Sequence, residues 1–269
     1  MMILLLIPLL FSLHQISVRK GLKRTDVLTG NFISIATTTA LFLPILILRF
    51  HKDLKFVALM VLAGFLNFVL ARLCFYASIK RVGANVASAL SATRIYIAEL
   101  FGAMLGENVT LKLLFSSTLI FAGIVSISNP KRKGDLLGVA LGVLTAIFVV
   151  LSSLVVKIGL KICDDPITGS SISYLSAFIL FSFVFTLKKE SSEFSPYFVF
   201  AGLLVGFGHL LRYYALSIYP LSLVEPIISI YPVFTIFLSY LLIRDMEPFD
   251  ARTIIGCLLV IAGVYGCFI

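Results

Sequence analysis

Long apolar runs, cut at short intervals by polar links, set the pattern of this chain. A hydrocarbon core of about 30 Å takes about 20 apolar residues per helix. On that ruler the runs predict ten spans, near 2–18, 27–48, 56–79, 84–105, 111–129, 135–159, 168–187, 196–217, 222–243 and 251–269. They are continuously apolar, without strand-like alternation, so helices are expected and not a barrel. The links carry turn residues, as in Asn129-Pro130 before Lys131-Arg132-Lys133-Gly134 and in Asp164-Asp165-Pro166, and none has room for a soluble domain. The first run lacks a basic leader and ends in Arg19-Lys20-Gly21-Leu22-Lys23-Arg24, not in a small-residue cleavage site. It is therefore expected to be a span and not a signal peptide.

The pattern also repeats. Val18-Arg19-Lys20-Gly21-Leu22-Lys23 matches Val156-Lys157-Ile158-Gly159-Leu160-Lys161, and Thr29-Gly30 matches Thr168-Gly169. Ala63-Gly64 returns as Ala201-Gly202, Tyr76-Ala77 as Tyr214-Ala215, Glu107 as Glu247, and Ala122-Gly123 as Ala262-Gly263. A nearly constant separation over half the chain reads as an internal duplication, with units at 1–129 and 134–269. Five spans per unit is odd, so the second unit enters the bilayer from the opposite side. The expected fold is an all-α polytopic membrane protein of ten transmembrane helices in a 5+5 inverted-topology repeat. A substrate site is then expected near the midplane, between the halves.

Composition sharpens this. Of 269 residues, 60% are hydrophobic and only 13% charged, against about 25% charged in soluble domains. The net charge of +9 sits mostly in the short links, as membrane proteins carry it, so no nucleic-acid partner is expected. The four cysteines show no Cys-x-x-Cys pair, and no metal-ligand spacing, phosphate loop or Ser/His/Asp set appears. No cofactor, metal or catalytic residue is expected. Trp is absent, leaving Tyr and Phe to supply any interfacial belt.

Charge inside the spans marks the candidate site, because a charged side chain at the bilayer centre costs about 2.5 to well over 10 kcal/mol. The hairpin Ala63–Glu107 carries Arg72, Arg94 and Glu99, and its second copy, Ala201–Glu247, carries Arg212 and Glu225. Arg72 and Arg94 each lie about ten residues from the Val82-Gly83 turn, hence at similar depth, ~15 Å along their helices. Two readings stand. Either the arginines form a cationic pocket for a carboxylate or phosphate, or Arg94 is locked by Glu99 or another buried acid. The second copy has Leu210 and Pro232 in their places, so the pocket is expected to be lopsided in charge. It offers His209, Arg212 and Tyr213 on one helical stripe, with Tyr214 beside them. Across the turn, Tyr231 falls at the depth of His209, and Glu225 at that of Arg212. Glu225 and Arg212 could pair near the membrane boundary, and His209 could carry a proton or simply pack. Gln15 and Asn67 are expected to line the cavity, and Ser12, Ser152 and Ser153 to bridge helices. His14 is a further polar interruption. Pro226 and Pro232 are expected to bend span nine, and Gly134, Gly138 and Gly142 to allow close helix packing.

The 5+5 layout, the two short hairpins, and the runs Glu107…Ser116…Ala122-Gly123 and Glu247…Gly256…Ala262-Gly263 resemble the EamA-type branch of the drug/metabolite transporter superfamily. That resemblance implies a secondary transporter and not an enzyme. It also implies cytoplasmic termini, and either export of amino acids and related metabolites or uptake of a metabolite. Charge counting points the other way on orientation. The odd-numbered links and adjoining helix ends hold thirteen Lys and Arg and the even-numbered six, which places the odd links in the cytoplasm. The expected substrate-binding residues are Arg72, Arg94, Arg212, Tyr213, Tyr214, Tyr231, Asn67 and Gln15. Glu99, Glu225 and His209 are the candidates for proton coupling. Expected partners are a small-molecule substrate and the lipid bilayer of the cell membrane, with the chain a monomer or homodimer. The alternatives are an intramembrane enzyme acting on a phosphorylated lipid, and a non-transporting scaffold or flippase subunit.

Overall fold

The structure is a computed structural model, described over residues 2–49, 53–127, 135–186, 193–242 and 251–268. Glu247 and the basic link 131–134 lie outside the described residues. Within them every element is helical and there is no strand. The order is α1 Met2–Gly21, α2 Val27–Leu48, α3 Leu54–Gly64, a π-helical stretch Phe65–Ala71, α4 Arg72–Val82, α5 Ala84–Ser91, α6 Arg94–Met104 and α7 Leu111–Ile127. It continues with α8 Leu136–Ile162, α9 Pro166–Thr186, α10 Pro196–Ile218, α11 Leu221–Ile228, α12 Tyr231–Leu242 and α13 Ala251–Phe268. Five helical segments are long and apolar enough to cross a membrane: α2, the continuous rod Leu54–Val82, α8, α9 and α10. Shorter apolar helices cover Leu111–Ser126, Leu221–Thr235 and Ile255–Phe268.

Several repeated sequence features become repeated local structures. Asp26 caps α2, accepting from the Leu28 and Thr29 amides at 2.9 and 3.2 Å and from the Thr29 hydroxyl at 2.7 Å. Asp165 treats α9 alike, accepting from the Thr168 amide at 3.1 Å and its hydroxyl at 2.6 Å. Each carboxylate satisfies an amide that the first helical turn leaves without a partner and complements the helix dipole. The Thr-Gly match in the sequence is thus half of a capping device.

The Ala-Gly motifs serve the contact between α7 and α13. A Cβ on Gly123 would stand 2.5 Å from the Gly256 carbonyl oxygen, and one on Gly263 would stand 2.5 Å from that of Ser116. The contact is reciprocal: each motif glycine rests on the small residue that opens the other copy. With no hydrophobic drive between helices in lipid, such close approach is what holds them. Gly263→Val should therefore separate the pair, at a cost of about 1–3 kcal/mol or more. A lowered unfolding midpoint of the purified protein in detergent is the readout, and an unchanged midpoint would contradict the contact.

The segment predicted as the ninth span breaks where its prolines fall, into α11 and α12 at Ser229-Ile230. Pro232 has no amide to offer the carbonyl four residues back, and the chain tightens instead, with Ile230 N–H to Ile227 O at 3.3 Å and Val233 N–H to Ile230 O at 3.0 Å. Span four splits at the corresponding point, Ala92-Thr93, with no proline at all. There the Ser91 hydroxyl bonds the Ser88 carbonyl at 3.0 Å and the Thr93 hydroxyl the Leu90 carbonyl at 2.7 Å. Hydroxyls that bond back to the preceding turn bend helices. The Ser88, Ser91 and Thr93 cluster was the sequence signal for this second kink.

Glu107 links two distant parts of the chain. Its carboxylate accepts from the Leu221 and Ser222 amides at 2.7 and 2.9 Å and from the Ser222 hydroxyl at 2.8 Å, so it caps α11 from 114 residues away. Lys157 stands 3.6 Å from the same carboxylate and donates to the Tyr219 carbonyl at 2.7 Å. Glu107→Gln keeps the shape but removes the charge facing the helix N-terminus and Lys157. It should lower stability by about 0.5–2 kcal/mol, read as a lowered unfolding midpoint that high salt alone does not reproduce.

Candidate functional site, a buried arginine cavity

A cavity of about 80 Å³ lies between α1, the Leu54–Val82 rod, α5–α6, α8, α10 and α12. Both sequence copies supply its walls. Phe11 and His14 come from α1. Asn67 and Ala71 come from the π stretch, followed by Arg72, Phe75 and Tyr76 from α4. Ser91 and Arg94 flank the kink of span four. Thr145 and Val149 of α8, Val205, His209 and Arg212 of α10, and Tyr231 of α12 complete it.

Arg72 enters the cavity where the rod changes helix type. A π turn widens the helix and shifts the azimuth of the residues beyond it, and such turns recur at functional sites. The stretch Phe65–Ala71 ends directly before Arg72, while the corresponding part of α10 is regular α-helix. The two copies thus differ in backbone as well as in charge. Arg72 is 6% exposed. It donates to the Tyr174 hydroxyl at 3.1 Å and lies over the rings of Phe68 (5.2 Å) and Tyr174 (5.6 Å). These rings stack on each other at 3.9 Å, forming a cation–π shelf. One of its terminal nitrogens, Nη1, has no hydrogen-bond partner among the described residues.

Arg94 sits just past the kink of span four. Its Nε donates to the Ser229 hydroxyl at 2.8 Å and lies 3.5 Å from Glu225 Oε2. The guanidinium sits 5.4 Å from the centre of the Tyr231 ring. Its Nη2 is likewise without a partner among the described residues. The acid beside Arg94 is therefore Glu225 of the second copy and not Glu99. Glu99 is buried on α6, near Ser117 and Cys267.

Arg212 is bound far more completely. Its Nε and Nη2 donate to Glu225 Oε1 at 3.1 and 2.7 Å, and Nη2 also reaches the Val149 carbonyl at 3.2 Å and the Ser153 hydroxyl. Ser153 in turn donates to Glu225 Oε1 at 2.7 Å. Both members of the pair are buried, at 2% and 0% exposure. Arg212 and Glu225, expected at equal depth, do pair, and both are enclosed by protein.

The remaining expected residues divide. Tyr231, Asn67 and His209 line the cavity. His209 packs against Phe11 and Phe68, each at 4.9 Å between ring centres. The Tyr231 hydroxyl meets the Ser91 hydroxyl at 2.5 Å, and its carbonyl accepts from Ser12 at 2.7 Å. Gln15 falls outside the lining: it donates to Ser88, and its carbonyl accepts from the Thr235 hydroxyl at 2.8 Å, joining three helices. Tyr213 points to α9, donating to Ser173 at 2.9 Å. Tyr214 is half-buried and also outside the lining. Ser152 bridges helices as expected, donating to the Ala63 carbonyl at 2.9 Å.

Sequence reasoning missed Tyr174, Tyr76 and Ser91 as parts of the site, and placed no specific role on His14. His14 Nδ1 donates to the Ala201 carbonyl at 3.0 Å, and the Tyr76 hydroxyl faces Nε2 at 3.4 Å, which suits the neutral ring. Nothing in the local pattern around Tyr174 marks it as the partner of an arginine 102 residues earlier. Among the described residues no three His, Cys, Asp or Glu side chains converge as a metal site. Chemically, the cavity is a small, partly open pocket with guanidinium donors and aromatic walls.

Comparison with known proteins bears on this arrangement. The model of the EamA-like transporter family matches residues 1–129 and again 136–269. A protein of Archaeoglobus fulgidus described as an uncharacterized transporter is 27% identical over 185 residues, or 67% of this chain. The match spans 65% of that relative's length. A solved crystal structure superimposes with a TM-score of 0.78 over 98% of this chain and 94% of its own, at 12% identity, which is a likeness of fold. With family matches over nearly the whole chain, and apolar helices long enough to cross a bilayer several times, this is a multi-pass membrane protein that belongs to the EamA-like transporter family.

Proposed function

We propose that the chain is a secondary transporter of the cell membrane, moving a small polar or anionic metabolite by alternating access. In this reading its helices form ten spans in two inverted units, at 1–129 and 134–269. The observation that carries it is the cavity itself, where Arg72 and Arg94 of one unit and Arg212 of the other line a single pocket. Buried arginines in a membrane protein are costly unless paired or used. Arg72 and Arg94, both lining residues, each have a buried Nη nitrogen without a partner among the described residues, and a carboxylate or phosphate could satisfy it. The reciprocal α7–α13 contact and the matching kinks of spans four and nine support the two-unit reading. Kinks that flank the cavity give the half-helices a place to pivot.

An intramembrane enzyme would need a nucleophile or paired acids facing the chamber. Ser91 is engaged by Tyr231 and by the Ser88 carbonyl, and Glu225 is held by Arg212, so transport is the better account. The test is counterflow into sealed proteoliposomes loaded with amino acids, organic acids, sugar phosphates or nucleotides in turn. Accumulation of label against at least one preloaded class is expected. Its absence for all classes, in vesicles shown to be sealed, would remove the transport reading for these solutes.

A further inference from the structure

We infer that the occupant of the arginine cavity is a divalent anion: a phosphate monoester or a dicarboxylate carrying a short apolar or aromatic portion. This rests on the proposal that the cavity is a substrate site and narrows it to a charge class. Three guanidiniums line the chamber, and the acid that meets them is Glu225, bound to Arg212 at 2.7 Å and 3.5 Å from Arg94. The other buried acid among the described residues, Glu99, lies outside the lining, near Ser117 and Cys267. One carboxylate against three guanidiniums leaves two positive charges uncompensated, and the cavity histidines can only add to that number. An uncompensated buried charge is the expensive case.

The geometry matches the count. Arg212 commits Nε and Nη2 to Glu225, Ser153 and Val149, whereas Arg72 Nη1 and Arg94 Nη2 have no hydrogen-bond partner among the described residues. Glu225 holds Arg212 most closely, and the two arginines with a buried nitrogen lacking a partner among the described residues are the other two. An ordinary zwitterionic amino acid is a poorer fit, because its ammonium would meet three guanidiniums and one acid, Glu225, whose Oε1 is bound by Arg212 and whose Oε2 already lies 3.5 Å from Arg94. Phe11, Phe75, Tyr76 and Tyr231 form the apolar wall, and 80 Å³ is room for about six waters or one small organic anion.

The experiment is a thermal-shift titration of the full chain in detergent at pH 8, where phosphate monoesters are dianions. Two matched pairs serve as probes: methyl phosphate against dimethyl phosphate, and succinate against butyrate. The dianion of at least one pair should bind about 10- to 100-fold more tightly than its monoanion, the worth of one charge-assisted hydrogen bond, and the pair that responds separates phosphates from dicarboxylates. Arg72→Gln should erase that preference and Arg72→Lys should keep it. If Arg72→Gln does not fold, Arg94→Gln carries the same arm. Equal or tighter monoanion binding in both pairs, no shift with any probe, or a preference that survives loss of the arginine would overturn the inference. Because binding is read without vesicles, dianion binding with no counterflow would count against transport alone. Counterflow of monoanions only would count against the charge class alone.

Discussion

Replacing Arg212 with Met should strip the protein of a large share of its stability. Its guanidinium holds Glu225 through two donors at 3.1 and 2.7 Å and also reaches Val149 and Ser153. Breaking a buried pair from one side costs about 3–5 kcal/mol, because the surviving charge has no water to return to. Arg94, 3.5 Å from the other carboxylate oxygen, can absorb part of that loss, which favours the lower end. The expected readout is an unfolding midpoint in detergent lowered by roughly 10 °C, with less folded protein recovered. Adding Glu225→Gln to Arg212→Met should restore part of the midpoint, since no lone carboxylate then remains. Arg212→Lys should fall between, because an ammonium keeps the charge but lacks the planar fork. A wild-type midpoint for Arg212→Met would show that the pair is not an anchor.

Arg94→Gln should behave in the opposite way, sparing the fold and removing transport. Arg94 makes one good hydrogen bond, to Ser229 at 2.8 Å, which a glutamine amide can imitate. Glu225 keeps its contacts with Arg212 when Arg94 is lost. The unpartnered Nη2 donor and the charge over Tyr231 disappear. A charge-assisted hydrogen bond is worth about 1.5–3 kcal/mol, so counterflow at low solute concentration should fall about 10- to 100-fold at equal amounts of reconstituted protein. Loss of the folded protein would make Arg94 a packing lock, and full counterflow would remove it from the site.

The contrast between these two arginines shows how far local pattern reaches. Each stood out for the same reason, a charge inside an apolar run, and nothing nearby separates an anchor from a free donor. Depth was legible, because 1.5 Å per residue counted from a known turn places Arg212 level with Glu225, and they do pair. The contact between Arg94 and Glu225 joins residues far apart in sequence, and no local rule supplies it. Gln15 and Tyr213 were legible as polar groups in apolar helices, yet both turn to neighbouring helices and not to the cavity. The prolines of span nine announced its kink. The kink beside Ser91 and Thr93 was not anticipated, since serine and threonine in helices as often bond outward.

Helical character, membrane residence and family membership come from the sequence because they depend on run length, composition and repeated small residues. Those properties are set by transfer from water to lipid and by backbone hydrogen bonding, which act on each segment separately. The tertiary structure decided which charges meet and which remain free. That depends on the azimuth of each helix about its own axis. The π turn before Arg72, the two kinks and the packing of α7 on α13 set it, and none of them is an energy of one segment alone.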